Sequence, residues 1–161
     1  MAVQIKPVHK NKIINRKKLK DLVLKYKRQG KKIVFTNGCF DIVHIGHLRY
    51  LAGARKMGDI LIVGLNSDKS VSRIKPGRPV IPEKQRAEVL SALYMIDYIT
   101  IFDEDTPYKL IKEIRPDILV KGADWRKGNI VGSDIIKDIR TIPFVKGIST
   151  SKIINKIKNQ K

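Results

Sequence analysis

The chain has 161 residues, 42% of them hydrophobic, with 34 Lys/Arg against 15 Asp/Glu for a formal charge of +19. That length and apolar content predict one globular domain with a real core and exclude a disordered chain. A single cysteine, Cys39, excludes an intramolecular disulfide framework and a four-cysteine zinc site.

No apolar run approaches the roughly 20 residues of a membrane span, and no signal-peptide core precedes the first charges. The expectation is a soluble cytoplasmic protein with no membrane partner. The charge is uneven: residues 1–32 hold twelve Lys/Arg and one acid, Asp21. Such a run reads as a nucleic-acid footprint or as the solvated face of a Lys-rich helix. Aromatic residues make up only 6% of the chain. That argues against a base-stacking binder, and nucleic acid is not the expected partner.

Strand and helix patterns alternate along the chain. Arg16 to Gln29 places Leu19, Leu22, Val23 and Tyr26 at helical spacing, and Gly30 is a natural stop. Lys32–Thr36 reads as a short strand followed by an Asn37-Gly38 turn. His47–Met57 reads as a helix ended by Gly58, and Asp59–Leu65 as a strand covered on both faces. Asn66 to Pro82, rich in Ser, Gly, Pro and basic residues, reads as a loop. Glu83–Tyr94 is the next helix and Tyr98–Phe102 the next strand. Thr106 and Pro107 begin a helix running to Ile114. Ile118–Val120 is expected as a strand, Ser133–Asp138 as a short helix and Thr141–Val145 as the last strand. Ser149 starts a terminal helix. No repeat or linker divides the chain, which reads as a basic segment, 1–30, whose helix packs on a domain of 31–161.

This pattern predicts a Rossmann-like, doubly wound α/β fold: about five parallel strands with helices on both faces. Ligands of such sheets bind beyond the carboxyl ends of the strands, where the strand order reverses. Two polar elements fall there. His44 and His47, three residues apart at a helix start, project to one side. The unpaired N–H groups and positive dipole end of a helix favour phosphate. Gly46 leaves the backbone open to a phosphate or ribose. A metal site is not expected, because His9 is the only other histidine. The second element is Gly147 to Ile154, where Ser149 and Thr150 stand at another helix start, as phosphate ligands or as ordinary caps.

Phe35 to Asp41, the His44–His47 string and Gly147 to Ile154 resemble the cytidylyltransferase-like nucleotidyltransferase superfamily. The His-Ile-Gly-His string also occurs in class I aminoacyl-tRNA synthetases, but the further loop and tRNA-binding portion those enzymes need are not legible here. The stretches Asn66–Val71, Pro76–Val80, Arg86–Leu90, Ile101–Pro107, Val120–Trp125 and Ile130–Gly132 are similar to one subgroup, the D-glycero-β-D-manno-heptose 1-phosphate adenylyltransferases of lipopolysaccharide core biosynthesis. The similarity runs from about Ile14 onward, which implies the stand-alone form without a sugar-kinase domain. Ala123 replaces a common second glycine. Phe144-Val145-Lys146 replaces an Arg-Thr pair of glycerol-phosphate and choline-phosphate cytidylyltransferases, which argues against their acceptors.

The resemblance implies AMP transfer from ATP to a sugar 1-phosphate, with Mg²⁺ bound mainly through the ATP phosphates. It implies catalytic roles for His44, His47 and Lys75, and nucleotide binding by Thr36, Asn37, Gly38, Cys39, Phe40, Gly46, Lys121, Gly122, Asp124, Ser149 and Thr150. Asp41 and Arg86 are expected at the acceptor. The Cys39 side chain is expected as a small buried hydrophobe. Trp125 is expected beside the adenosine or as packing, and a homodimer is implied. The alternative within the class is a CTP-dependent cytidylyltransferase for a polyol or amino-alcohol phosphate.

Overall fold

The structure is a computed structural model describing residues 9–123 and 130–160. Five strands form it: β1 (Ile33–Gly38), β2 (Ile60–Asn66), β3 (Tyr98–Phe102), β4 (Ile118–Gly122) and β5 (Asp138–Ile142). They make one parallel sheet in the order β3-β2-β1-β4-β5. The helices are α1 (Arg16–Arg28), α2 (Ile45–Arg55), α3 (Asp68–Ile74), α4 (Glu83–Ser91), α5 (Tyr108–Ile114) and α6 (Thr150–Lys158). This is the expected doubly wound α/β sheet. None of the described helices is long and apolar enough to cross a membrane.

Alternation along each strand divides the core in two. Val34, Leu61, Val63, Ile118 and Val120 pack with Leu51 and Ala54 of α2 and Ala87 and Leu90 of α4. Their neighbours Ile33, Phe35, Ile62 and Leu119 face Leu19 and Val23 of α1 and Leu110, Ile111 and Ile114 of α5. Each such side chain, once fully buried, contributes about 1.5–3 kcal/mol. Helix α1, in the basic segment, packs on the sheet and shares this second core. Ahead of α1, Ile14 N–H donates to Ile99 O at 2.9 Å, laying the chain along the outer edge of β3. Asn15 caps α1 by accepting from Lys18 N–H at 2.9 Å, and Gly30 ends the turn that follows with φ +70°.

Three expectations are corrected. The segment 66–82 is not wholly loop, because α3 occupies Asp68–Ile74. Ser67 caps that helix, yet only Val71 among its apolar residues is buried, so no apolar period marks it. Residues 133–138 form turns leading into β5 rather than a helix. Finally, β5 lies three residues before the expected 141–145. Pro143 lacks the N–H that a ladder needs, so pairing stops at Ile142, opposite Gly122.

The strand order reverses between β1 and β4, which end side by side at Gly38 and Gly122. This opens a crevice at the carboxyl edge of the sheet. One buried atom in the described core lacks a hydrogen-bond partner, the Thr100 hydroxyl on β3. Replacing an unsatisfied buried hydroxyl by a methyl removes a desolvation cost. Thr100→Val is therefore expected to stabilise the fold by about 1 kcal/mol in urea titrations; a lower midpoint would show that the hydroxyl has a partner.

Candidate active site

The crevice is a cleft of about 990 Å³ between β1, β4 and the N-termini of α2 and α6. Of the expected site residues among those described, all but Thr36 and Arg86 line it. Asp124 and Trp125 lie outside the described residues. Among the described residues the charged lining is Lys75, Arg78 and Lys121 against Asp41 and Asp105.

Both histidines cap the start of α2. His44 Nδ1 accepts from Gly46 N–H at 3.1 Å, while His47 Nδ1 accepts the N–H of His44 at 3.4 Å. The two rings stack 3.9 Å apart, and Phe40 packs against His47 at 5.3 Å. Burial lowers the pKa of both, that of His47 to about 4 with help from His44 and Lys75. At neutral pH the imidazoles are uncharged. With each Nδ1 accepting, each ring keeps its proton on Nε2 as a hydrogen-bond donor. Gly46 also has a packing role: a Cβ there would stand 2.9 Å from the His44 ring. Glycine makes room for the imidazole to fold back over the helix end.

Across the cleft, Ser149 caps α6 by accepting from Lys152 N–H at 3.2 Å, and Thr150 Oγ1 donates to Ile42 O at 3.5 Å. Lys121, at the end of β4, donates to Asn37 Oδ1 at the end of β1. Lys75 is exposed at the C-terminus of α3. Thr36 is fully buried, bonded to Tyr50 Oη at 2.7 Å, and Tyr50 in turn donates to Val120 O at 3.0 Å. Burial raises the Cys39 thiol pKa, so it is no activated nucleophile.

The two residues expected at the acceptor are bound to the protein itself. Asp41 accepts from Val80 N–H at 2.8 Å, Ile81 N–H at 2.8 Å and Arg78 Nη1 at 3.0 Å. Burial works to raise its pKa, but the two N–H groups and the guanidinium outweigh this and hold the carboxyl below its usual range. The Arg86 side chain is fully buried. It donates to Ile81 O at 2.8 Å, Cys39 O at 2.5 Å, Asn66 O at 2.9 Å and Asp68 Oδ1 at 2.7 Å. Sequence reasoning singled out neither Arg78 nor Tyr50. The signals for Arg78 were its place between the turn residues Pro76-Gly77 and Pro79 and within the subgroup-like stretch Pro76–Val80.

A parallel sheet with neutral histidines at one helix start, hydroxyls at another and three cations between them at the switch point defines a nucleotide-handling α/β protein. The chain belongs to the cytidylyltransferase-like family, whose model matches residues 35–156. It is 54% identical over 155 residues to the bifunctional protein HldE of Campylobacter jejuni subsp. jejuni serotype O:6, covering 94% of this chain and 34% of that one. It is also 54% identical over 133 residues to the bifunctional protein HldE of Nitratiruptor sp., covering 82% of this chain and 29% of that one. The chain therefore spans about a third of the length of the curated relatives it matches. The crystal structure of the lipopolysaccharide core biosynthesis protein from Thermoplasma volcanium superposes with a TM-score of 0.61 at 30% identity, covering 74% of this chain and all of that one.

Two predictions follow from the buried polar groups. Arg86→Met leaves three carbonyls without their donor and is expected to cost about 3–5 kcal/mol in urea unfolding. Arg86→Lys is expected to recover only part of that, since one ammonium cannot span the same acceptors. The second concerns pH. The folded pKa of His47 lies near 4 against an ordinary 6.5. The unfolded chain therefore takes up a proton first as pH falls, and stability present above 6.5 is lost toward 4. His47→Gln is expected to flatten the fall in melting temperature across that window; an unchanged slope would show that His47 titrates normally in the fold.

Proposed function

We propose that the chain transfers AMP from ATP to D-glycero-β-D-manno-heptose 1-phosphate, giving ADP-heptose and pyrophosphate for lipopolysaccharide core synthesis. The observation that carries this reading is the stacked pair of neutral imidazoles, each with an Nε2–H donor, opposite the Ser149-Thr150 helix start. The identity to the HldE proteins and the likeness to the Thermoplasma lipopolysaccharide core biosynthesis protein support the choice of acceptor.

In this mechanism an acceptor phosphate oxygen attacks the α-phosphorus in line. The new P–O bond forms as the bond to the bridging oxygen breaks, and pyrophosphate leaves with the electron pair. The acceptor oxygen is already anionic at neutral pH, so no general base is required, and catalysis consists of positioning and charge stabilisation. His44 and His47 donate to the α- and β-phosphates, Ser149 and Thr150 hold the leaving oxygens, and Lys75 neutralises developing charge. Lys121 and Asn37 form the floor, with Gly38, Cys39, Phe40, Gly46 and Gly122 offering backbone. Asp41 and Arg86 act on the acceptor through the loops they hold.

Mg²⁺, held mainly by the triphosphate oxygens and water, would neutralise charge on the triphosphate. A cytoplasmic location and the homodimer implied by the resemblance belong to the same reading.

The test is pyrophosphate release with Mg²⁺ from ATP or CTP across a panel of sugar and polyol phosphates. ATP with heptose 1-phosphate is expected to turn over, and His47→Ala to lower kcat by about 10²–10³-fold, the usual loss for one transition-state donor. Turnover with CTP and a polyol phosphate instead would overturn the substrate assignment. No turnover with any pair would overturn the reaction.

A further inference from the structure

Arg78 joins three segments that otherwise meet only at the cleft. One terminal nitrogen, Nη1, lies 3.0 Å from Asp41 Oδ2, on the loop between β1 and α2. The other, Nη2, donates to Ser151 Oγ at 3.3 Å, in the first turn of α6. The same carboxylate accepts from Val80 N–H and Ile81 N–H, so Asp41 fixes the backbone on the far side of Arg78. On the near side, Arg78 N–H donates to Lys75 O at 3.1 Å, closing a tight turn through Gly77 at φ +74°. Lys75 therefore sits at one end of a short turn whose other end is clamped to the carboxylate. All four side chains, Lys75, Arg78, Asp41 and Ser151, line the cleft.

From this arrangement we infer that Arg78 is a positioning residue: it bridges Asp41 to Ser151, thereby setting the spacing of the α2 and α6 N-termini and presenting Lys75 between them. The inference rests on the proposed reaction for its kinetic reading but not for its structural one. The fork of an arginine is needed because the two partners lie on different elements and each takes a different terminal nitrogen. A lysine keeps the charge but offers a single ammonium. The bridge also ties together the two phosphate-facing helix starts, whose other link is the long Thr150 to Ile42 contact at 3.5 Å. A misplacement of the order of 1 Å in such a site costs up to about 10² in rate.

The experiment is a double-mutant cycle with Arg78→Lys and Ser151→Ala in the full chain, reading kcat, KM for the triphosphate, and amide exchange. Arg78→Lys is expected to lower kcat by about tenfold or more, leaving KM for ATP within about threefold, as for a group that acts on alignment. Ser151→Ala is expected to have a smaller effect, and the double variant to be no worse than Arg78→Lys alone. Exchange at the Val80 and Ile81 amides is expected to quicken in Arg78→Lys while the melting temperature of the core holds. Independent, additive losses, or a raised KM with full kcat, would mean that Arg78 contacts the triphosphate directly and overturn the positioning role. Unchanged kinetics would overturn it as well. If the wild type turns over no pair of substrates, the reaction fails on its own. The bridge is then judged by exchange alone: faster exchange at Val80 and Ile81 upholds it, and unaltered exchange removes it.

Discussion

The guanidinium of Arg86 is the constraint on which the site depends. A fully buried cation is tolerated only when its donors are met, because the desolvation it suffers amounts to several kcal/mol. Here they are met by the carbonyls of Cys39, Asn66 and Ile81 and by the carboxylate of Asp68. Those four groups belong to the ends of β1 and β2, the loop before α4, and the first turn of α3. Satisfying one side chain therefore ties together the segments that leave β1 and β2 and the loop before α4 on one side of the cleft. The sheet supplies parallel strand ends, but Arg86 determines how the chain leaves them.

A second polar hub stands above the first. Asp41 collects two backbone N–H groups and the Arg78 guanidinium, orienting the loop behind Lys75. Between them the hubs place the His44–His47 pair against Phe40, where burial keeps both imidazoles neutral. Neutrality matters chemically. In the proposed reaction a charged imidazolium would bind a triphosphate tightly in the ground state, whereas an oriented Nε2–H donor would favour the charge that develops during transfer. The donors are aimed before substrate arrives, because each Nδ1 is already occupied by a backbone N–H.

Most of the fold was legible in the sequence because parallel strands buried on both faces leave unbroken apolar runs such as Ile60 to Leu65. Helix α3 was not, since its stability comes from the Ser67 cap and from Ser70 bonding Glu104 O, neither of which makes a hydrophobic period. The end of β5 was misplaced because an apolar run crosses Pro143, and apolarity was given more weight than the missing N–H. The site divided the same way. His44, His47, Ser149 and Thr150 sit on local motifs at helix starts and could be found from spacing. The work of Arg86 and Asp41 could not, because their partners are mostly backbone atoms 5 to 47 residues away, and a sequence carries no mark for a carbonyl that will accept from a distant guanidinium.

The charge of the chain and the charge of the site are separate matters. The excess of basic residues lies chiefly in the first 32 positions, and α1 exposes Lys17, Lys18, Lys20, Lys25 and Arg28 without contributing a residue to the cleft. Three cations line the cleft among the described residues, and two of them are already bonded to protein acceptors, Lys121 to Asn37 and Arg78 to Asp41 and Ser151. Exposed lysines on α1 are screened within about 8–10 Å at physiological salt, so they add little to the potential at a phosphate held between α2 and α6. Oriented donors, rather than total charge, therefore define the chemistry: two Nε2–H groups, two helix starts, and a lysine held in place by a turn.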